Sequence, residues 1–105
     1  MEAKNQSETN DQQGVYRYLD CSTTHITEET MRLLDRGQES GLRIAVAPYE
    51  YGVFVTVPDD AESQQEGDMP KDLVEVLKFA RQRGCYVVRF DSDGCDYDEL
   101  PRFEW

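Results

Sequence analysis

Residues 42–57 read LRIAVAPYEYGVFVTV, and the fold class follows from this stretch. It holds two runs of β-favouring residues, 42–46 and 53–57. Between them, residues 48–52 include a proline and a glycine, which are typical of turns. A connection this short joins antiparallel neighbours. The stretch therefore predicts a β-hairpin.

The segment before the hairpin predicts one strand and one helix. Residues 15–19 are rich in β-favouring side chains and predict a first strand. Thr27 is a good helix N-cap, and acidic residues follow it in the first turn, where the helix dipole favours them. Gly37 is a suitable stop signal. A first helix is therefore predicted over 28–37.

The segment after the hairpin repeats this pattern in the opposite order. Pro70 suits the first position of a helix, and apolar residues recur with helical spacing as far as residue 80. Gly84 ends this helix, which is predicted over 70–83. Residues 86–90 predict a fourth strand.

The order β-α-β-β-α-β predicts a ferredoxin-like α+β fold. We expect an antiparallel sheet with both helices on one face and with the first and fourth strands together in its middle. Residues 1–14 are polar and aperiodic and predict a disordered leader, so that 15–105 form a single α+β domain. Residues 91–105 form an acidic, aromatic tail, in which Phe103 and Trp105 are spaced as on one face of an edge strand.

Composition excludes several classes of protein. A chain of 105 residues fits one domain, and its apolar runs are too short to cross a bilayer. Residues 1–14 lack the apolar core of a signal peptide. Three cysteines without a C-x-x-C pair fit reduced thiols better than a disulfide framework. These features predict a cytoplasmic protein.

The negative charge is concentrated in three segments. The formal net charge is −11, with −2 in residues 1–14, −5 in 59–68 and −5 in 91–105. The rest of the chain is close to neutral. Such a charge repels nucleic acid and anionic membranes, so that an electrostatically selected partner is basic. The alternative is that the acidic segments serve solubility only.

If the acid is functional, the candidate partner-binding residues are those of the tail and of the acidic loop. They are Asp91, Asp93, Asp96, Asp98, Glu99, Tyr97 and Trp105 in the tail, with Asp59, Asp60 and Glu62 in the loop. Carboxylates two residues apart on an extended segment lie about 6.5–7 Å apart, roughly the pitch of successive phosphates. The two aromatic residues are of the type that dominates interface energetics.

Other kinds of site find less support. The third strand is only weakly similar to the strands that bind RNA in RNA-recognition domains, because it lacks a leading basic residue. We therefore expect Tyr49, Tyr51 and Phe54 to pack in the hairpin and the core. Cys21 and His25 are a nucleophile and a base close in sequence, but no orienting group accompanies them. A calcium loop around Gly94 fails at two ligand positions. We therefore expect no catalytic residue, no metal and no cofactor.

Residues 18–27, 48–52 and 103–105, which read YLDCSTTHIT, PYEYG and FEW, resemble those of a bacterial domain family of unknown function. The resemblance covers most of 15–105 and implies a short, intact domain, often carried on plasmids or other mobile elements. It implies no catalytic residues. In size and acidity the chain is also similar to small anti-defence proteins, the anti-CRISPR and antirestriction inhibitors.

Two functional hypotheses follow from these observations. The first is a non-enzymatic inhibitor that docks a basic nucleic-acid-binding surface of a host defence complex, partly as a nucleic-acid mimic. The alternative is a small accessory or regulatory protein-binding module whose acidity serves only solubility. Neither involves direct binding to nucleic acid or to a membrane, and the oligomeric state stays open.

Overall fold

The hairpin predicted within residues 42–57 is present, although its first strand begins later than expected. The computed structural model describes residues 13–58 and 69–105. Within them, strand β2 (Val46–Tyr49) runs antiparallel to β3 (Gly52–Thr56). Pairing continues to Ala45, whose carbonyl accepts a hydrogen bond of 3.1 Å from the Thr56 amide. Pro48 lies inside β2, which is tolerated because β2 is an edge strand.

The remaining elements match the predicted types. In chain order they are β1 (Arg17–Ser22), α1 (Glu28–Leu34), α2 (Lys71–Gln82) and β4 (Cys85–Asp91), with short 3-10 turns at Thr23–His25 and Gly37–Ser40. Helix α1 ends three residues before Gly37, which instead opens the second 3-10 turn. Helix α2 is the longest element, and among the described residues no helix is long and apolar enough to cross a membrane.

The predicted α+β class is confirmed, but the sheet is not antiparallel throughout and does not have the ferredoxin-like strand order. The strand order is β1-β4-β3-β2, and β1 runs parallel to β4 while the other pairs are antiparallel. Strand β1 lies at the edge and not in the middle. Strand β4 lies between β1 and β3, and its Val88 and Phe90 are fully buried. The sheet is therefore mixed.

One hydrophobic core lies between the sheet and the two helices. Its strand residues stand in rows across the sheet, such as Leu19, Val88, Val55 and Val46. Leu34 of α1 and the inward side chains of α2 belong to the same buried cluster. Both helices therefore cover one face of the sheet, as the sequence predicts.

The starts of the two helices are joined by one carboxylate. The Thr27 hydroxyl caps α1 by accepting from the Thr30 amide at 3.2 Å. Asp72, in the first turn of α2, accepts from the Thr27 amide at 2.7 Å and from the Thr30 hydroxyl at 2.9 Å. The predicted N-cap thus also fixes α1 against α2.

Two predicted segments fall on residues whose structure is not described. The predicted leader, 1–14, lies outside the described residues apart from its last two positions. The acidic loop, 59–68, lies outside them completely.

Gly52 tests the packing of the central strands. A Cβ at this position would overlap the backbone carbonyl of Phe90 on β4. We therefore expect Gly52→Ala to lower the free energy of unfolding by more than about 3 kcal/mol, measured by urea denaturation. Gly41→Ala is the control, because Gly41 has a φ of +82° but no atom within 4 Å of an added Cβ; it should cost about 1 kcal/mol. Equal losses in the two variants would contradict this packing.

Candidate partner-binding site

The acidic tail is fixed to the domain by His25, whose side chain is fully buried. The Tyr97 amide donates to Nε2 at 2.9 Å, and Nδ1 lies 2.7 Å from the carbonyl oxygen of Pro101. Because an amide can only donate, Nε2 must be the unprotonated nitrogen, and Nδ1–H donates to the carbonyl. A neutral imidazole thus holds the tail backbone at two points.

Further hydrogen bonds attach the end of the tail to the segment around His25. The Phe103 amide donates to the Thr24 carbonyl at 2.8 Å, and the Thr24 hydroxyl donates to the Phe103 carbonyl at 3.2 Å. The Trp105 indole N–H donates to the Ile26 carbonyl at 3.0 Å. Leu100 is buried in the core. The tail is therefore a docked part of the domain, and it is not the short edge strand that the spacing of Phe103 and Trp105 predicts.

The two aromatic residues predicted to bind a partner differ in their exposure. Tyr97 packs on Phe79, with ring centroids 4.9 Å apart, and its hydroxyl donates to the Asp20 carbonyl at 2.7 Å. Burial is the main cause that raises the pKa of Tyr97 to about 12. Trp105 keeps 54% of its surface exposed. Tyr97 is thus an internal anchor, and Trp105 is the aromatic side chain that a partner can reach.

The tail carboxylates also fall into two groups. All of Asp93, Asp96, Asp98 and Glu99 are exposed. Asp98 lies 3.4 Å from Arg102, and Glu99 lies 3.5 Å from Arg83. No cation of the described residues lies within ion-pair distance of Asp93 or Asp96. These two carboxylates, together with the exposed Glu104 of the same tail, are open to an external cation.

Asp91 is bound within the domain. The Tyr49 hydroxyl donates to it at 2.5 Å, and the Asp93 amide donates to its other oxygen at 2.8 Å. Both hydrogen bonds lower the pKa of Asp91, with the Tyr49 bond the larger cause. The Gly94 amide donates to the Asp91 carbonyl at 2.9 Å, so that residues 91–94 form a turn. Asp91 and Asp93 therefore do not have the extended spacing expected of them.

The predicted loop residues Asp59, Asp60 and Glu62 lie outside the described residues.

Cys21 and His25 do not form a nucleophile and base pair. Both His25 nitrogens are used by the tail backbone, as described above. The Cys21 thiol is fully buried, and burial is the main cause that raises its pKa to about 12. A thiolate is the reactive form, and this environment disfavours it. The sequence did not predict that His25 is a structural link to Tyr97 and Pro101. These residues lie 72 and 76 positions further along the chain.

The structure also shows a surface that the sequence analysis missed. On the side of the sheet away from the helices, outward side chains stand side by side; we call this the open sheet face, formed by Tyr18, Asp20, Tyr49, Phe54, Arg89 and Asp91. Phe54, expected in the core, is partly exposed here. The signal was available, because Phe54 alternates with the inward-facing Val53 and Val55.

Residues 18–105 match the model of the C-terminal domain of a family of unknown function, DUF5983, and the chain belongs to that family. This confirms the resemblance to a domain family of unknown function. The matched residues include α1, α2, the hairpin, β4 and the whole tail, so that the tail is part of the family's domain. No curated protein and no solved structure matches the chain.

His25 variants test the attachment of the tail. We expect His25→Ala to cost about 2–4 kcal/mol in stability, because the part-buried Tyr97 amide and Pro101 carbonyl lose their partner and the buried imidazole leaves a cavity. Trp105 is the only tryptophan, so its fluorescence reports release of the tail. His25→Gln can still accept from the Tyr97 amide and should lose less. Unchanged Trp105 emission and unchanged stability in His25→Ala would contradict this attachment.

Tyr49→Phe tests the hydrogen bond to Asp91. The bond lowers the pKa of Asp91, so it stabilises the fold above the ordinary aspartate pKa and this contribution is lost as pH falls through the folded-state value. In Tyr49→Phe we expect the pKa of Asp91, followed by NMR of the side-chain carboxyl, to rise toward its ordinary value. An unchanged Asp91 titration would contradict the assignment.

Proposed function

We propose that this chain is a non-enzymatic binding protein that docks its acidic tail onto a basic, nucleic-acid-binding surface of another protein. In this proposal it acts as an inhibitor of a bacterial defence complex, in the manner of anti-CRISPR and antirestriction proteins, and it competes with nucleic acid for the basic surface. The acidic loop residues Asp59, Asp60 and Glu62 are a second candidate contact.

The docked backbone of the tail is the observation that carries this proposal. Acidic side chains that serve only solubility need no fixed position. The carboxylates of the tail, however, stand on a backbone that His25 and Thr24 hold in place. A side chain that is already positioned loses less entropy on binding. The arrangement therefore favours recognition over simple solvation.

The charges of the tail fit a basic partner. A surface that binds nucleic acid carries Lys and Arg side chains, whose charge must be met by anions when the nucleic acid leaves. Asp93 and Asp96 are exposed carboxylates that no arginine or lysine of the described residues neutralises. Trp105 lies on the same tail and offers an exposed ring of the kind found at interface hot spots.

The alternative is an accessory protein-binding module whose acidity serves only solubility. One observation favours it: Asp98 and Glu99 are already paired with Arg102 and Arg83 of the same chain. Exposed pairs of this kind contribute little and are screened by salt, so they do not exclude exchange with a partner's cations.

Neutral variants of the tail test the proposal directly. The partner is first captured from bacterial lysate with the parent chain and identified by mass spectrometry. The double variant Asp93→Asn and Asp96→Asn should then bind it about tenfold more weakly at low salt, chiefly through slower association. Its binding should also fall less steeply with salt between about 50 and about 200 mM. The captured partner should lose its nucleic acid when the parent chain is bound.

The matched control removes the same number of charges elsewhere. It is the double variant Asp35→Asn and Glu39→Gln. Asp35 directly follows α1, Glu39 lies in the second 3-10 turn, and both side chains are exposed. This control should bind like the parent. A third variant, with Asp59, Asp60 and Glu62 neutralised, separates the loop from the tail. Should the tail and loop variants both keep the affinity and salt dependence of the parent, the solubility hypothesis replaces this one.

A further inference from the structure

The open sheet face carries three kinds of group in close contact. Tyr18 and Phe54 are 54% and 38% exposed, and they flank Arg89 in the middle of the sheet. The Arg89 guanidinium lies 2.9 Å from Asp20 and 5.6 Å from the centre of the Tyr18 ring. Phe54 packs on Tyr49, with ring centroids 5.0 Å apart. Exposed aromatic groups on one surface are typical of an interaction site.

The charges of this face select against nucleic acid. Stacking of bases on sheet aromatics is accompanied by free basic groups that meet the phosphates. Here the basic group is Arg89, and Asp20 already neutralises it. Asp91 adds a further carboxylate on the same face. A second copy of this chain, with the same charge of −11, is repelled as well.

The face favours arginine side chains of a protein partner. A guanidinium is planar, stacks on aromatic rings and pairs with carboxylates, whereas a lysine ammonium is a strongly hydrated point charge. The chain contains two examples of this arrangement. Arg89 lies against Tyr18 and Asp20, and Arg83 lies 3.5 Å from the centre of the Phe79 ring and 3.5 Å from Glu99.

The face is continuous with the acidic tail. The Ser92 amide, in the turn after β4, lies 3.4 Å from the carbonyl oxygen of Tyr51 in the turn of the hairpin. The exposed residues Glu50 and Tyr51 therefore stand beside Asp93, where the tail begins. Aromatic groups on the sheet are thus bordered by carboxylates, which is the usual arrangement of an interface with an apolar centre and a polar rim.

We propose that the open sheet face is the aromatic half of the docking surface and holds arginine side chains of the basic protein partner. The inference rests on the proposed function and names the residues that anchor the partner, Tyr18 and Phe54 on the face and Tyr51 in the hairpin turn that borders it. The tail then supplies long-range attraction, and the sheet face supplies the contacts that slow dissociation.

The test uses the full chain and two defined probes, an arginine octapeptide and a lysine octapeptide, in an NMR titration. The arginine peptide should shift the ring signals of Tyr18 and Phe54 together with the amides of Asp93 and Asp96. It should bind about fivefold or more tightly than the lysine peptide. Phe54→Ala should weaken arginine-peptide binding about fivefold without changing its salt dependence, since no charge is lost.

Two further variants keep the result interpretable. Phe54→Leu retains an apolar side chain and should lose most of the preference for arginine over lysine. Tyr86→Ala is the control, because Tyr86 is 57% exposed but lies outside the open sheet face, at the opposite end of β4 from Asp91; it should bind like the parent. Near-ultraviolet circular dichroism and Trp105 emission check that each variant is folded.

The outcomes separate this inference from the proposed function. If the arginine peptide shifts only the tail signals, the sheet-face inference is overturned and the proposed function stands. If neither peptide shifts the tail, the proposed function is overturned, and with it this inference. Shifts of the sheet-face rings by a single-stranded oligonucleotide, or by dilution of the chain alone, would assign the face to nucleic acid or to a second copy and overturn the inference.

Discussion

A single buried imidazole links the two ends of this domain. His25 is the only histidine, and the structure uses both of its nitrogens on backbone groups of the tail. The geometry demands one tautomer, because an amide faces one nitrogen and a carbonyl faces the other. This link fixes the tail on either side of the buried Leu100, and it holds the backbone that follows Asp93 and Asp96. Polar groups of this kind are costly when unsatisfied, and a fully satisfied set specifies one arrangement.

The local elements were predictable from the sequence, but their arrangement was not. The hairpin follows from its two β-favouring runs, and α1 begins directly after its predicted cap, Thr27. Helix α2 begins at Lys71, one residue after Pro70, the predicted first helical position. The neighbouring positions of β1 and β4 were predicted, but their parallel direction and the edge position of β1 were missed. Local pattern shows that both are strands, but it does not show that the tail occupies the outer edge of β1. That edge is taken by contacts such as the one between Ser22 and Cys95, which lie far apart in sequence.

The candidate site shows the same limit. Counting charges located the acidic tail, and the structure divides its carboxylates into paired ones and those open to a partner. This division depends on Arg83, which follows the end of α2. Only the tertiary structure brings Arg83 close to Glu99, so the pair could not be predicted from the sequence. Asp91 was grouped with the tail. In the sheet, however, Gly52 of β3 pairs with Tyr49 on one side and with Asp91 on the other, so that the Tyr49 hydroxyl reaches past Gly52 and donates to the Asp91 carboxylate.

The contacts between β1 and the tail have a consequence for aggregation. A strand edge with free amides and carbonyls can recruit another chain, and natural sheets block such edges. On β2 the block is Pro48, together with the Gln38 side chain that accepts from the Val46 amide at 2.9 Å. The edge of β1 is blocked by the tail itself. The Cys95 carbonyl accepts a hydrogen bond from the Ser22 amide, and the Tyr97 hydroxyl donates to the Asp20 carbonyl. A chain cut by a protease before Cys95 would lose these contacts and expose the edge of β1 as a template for intermolecular strand pairing, so that the tail covers a sheet edge in addition to carrying charge.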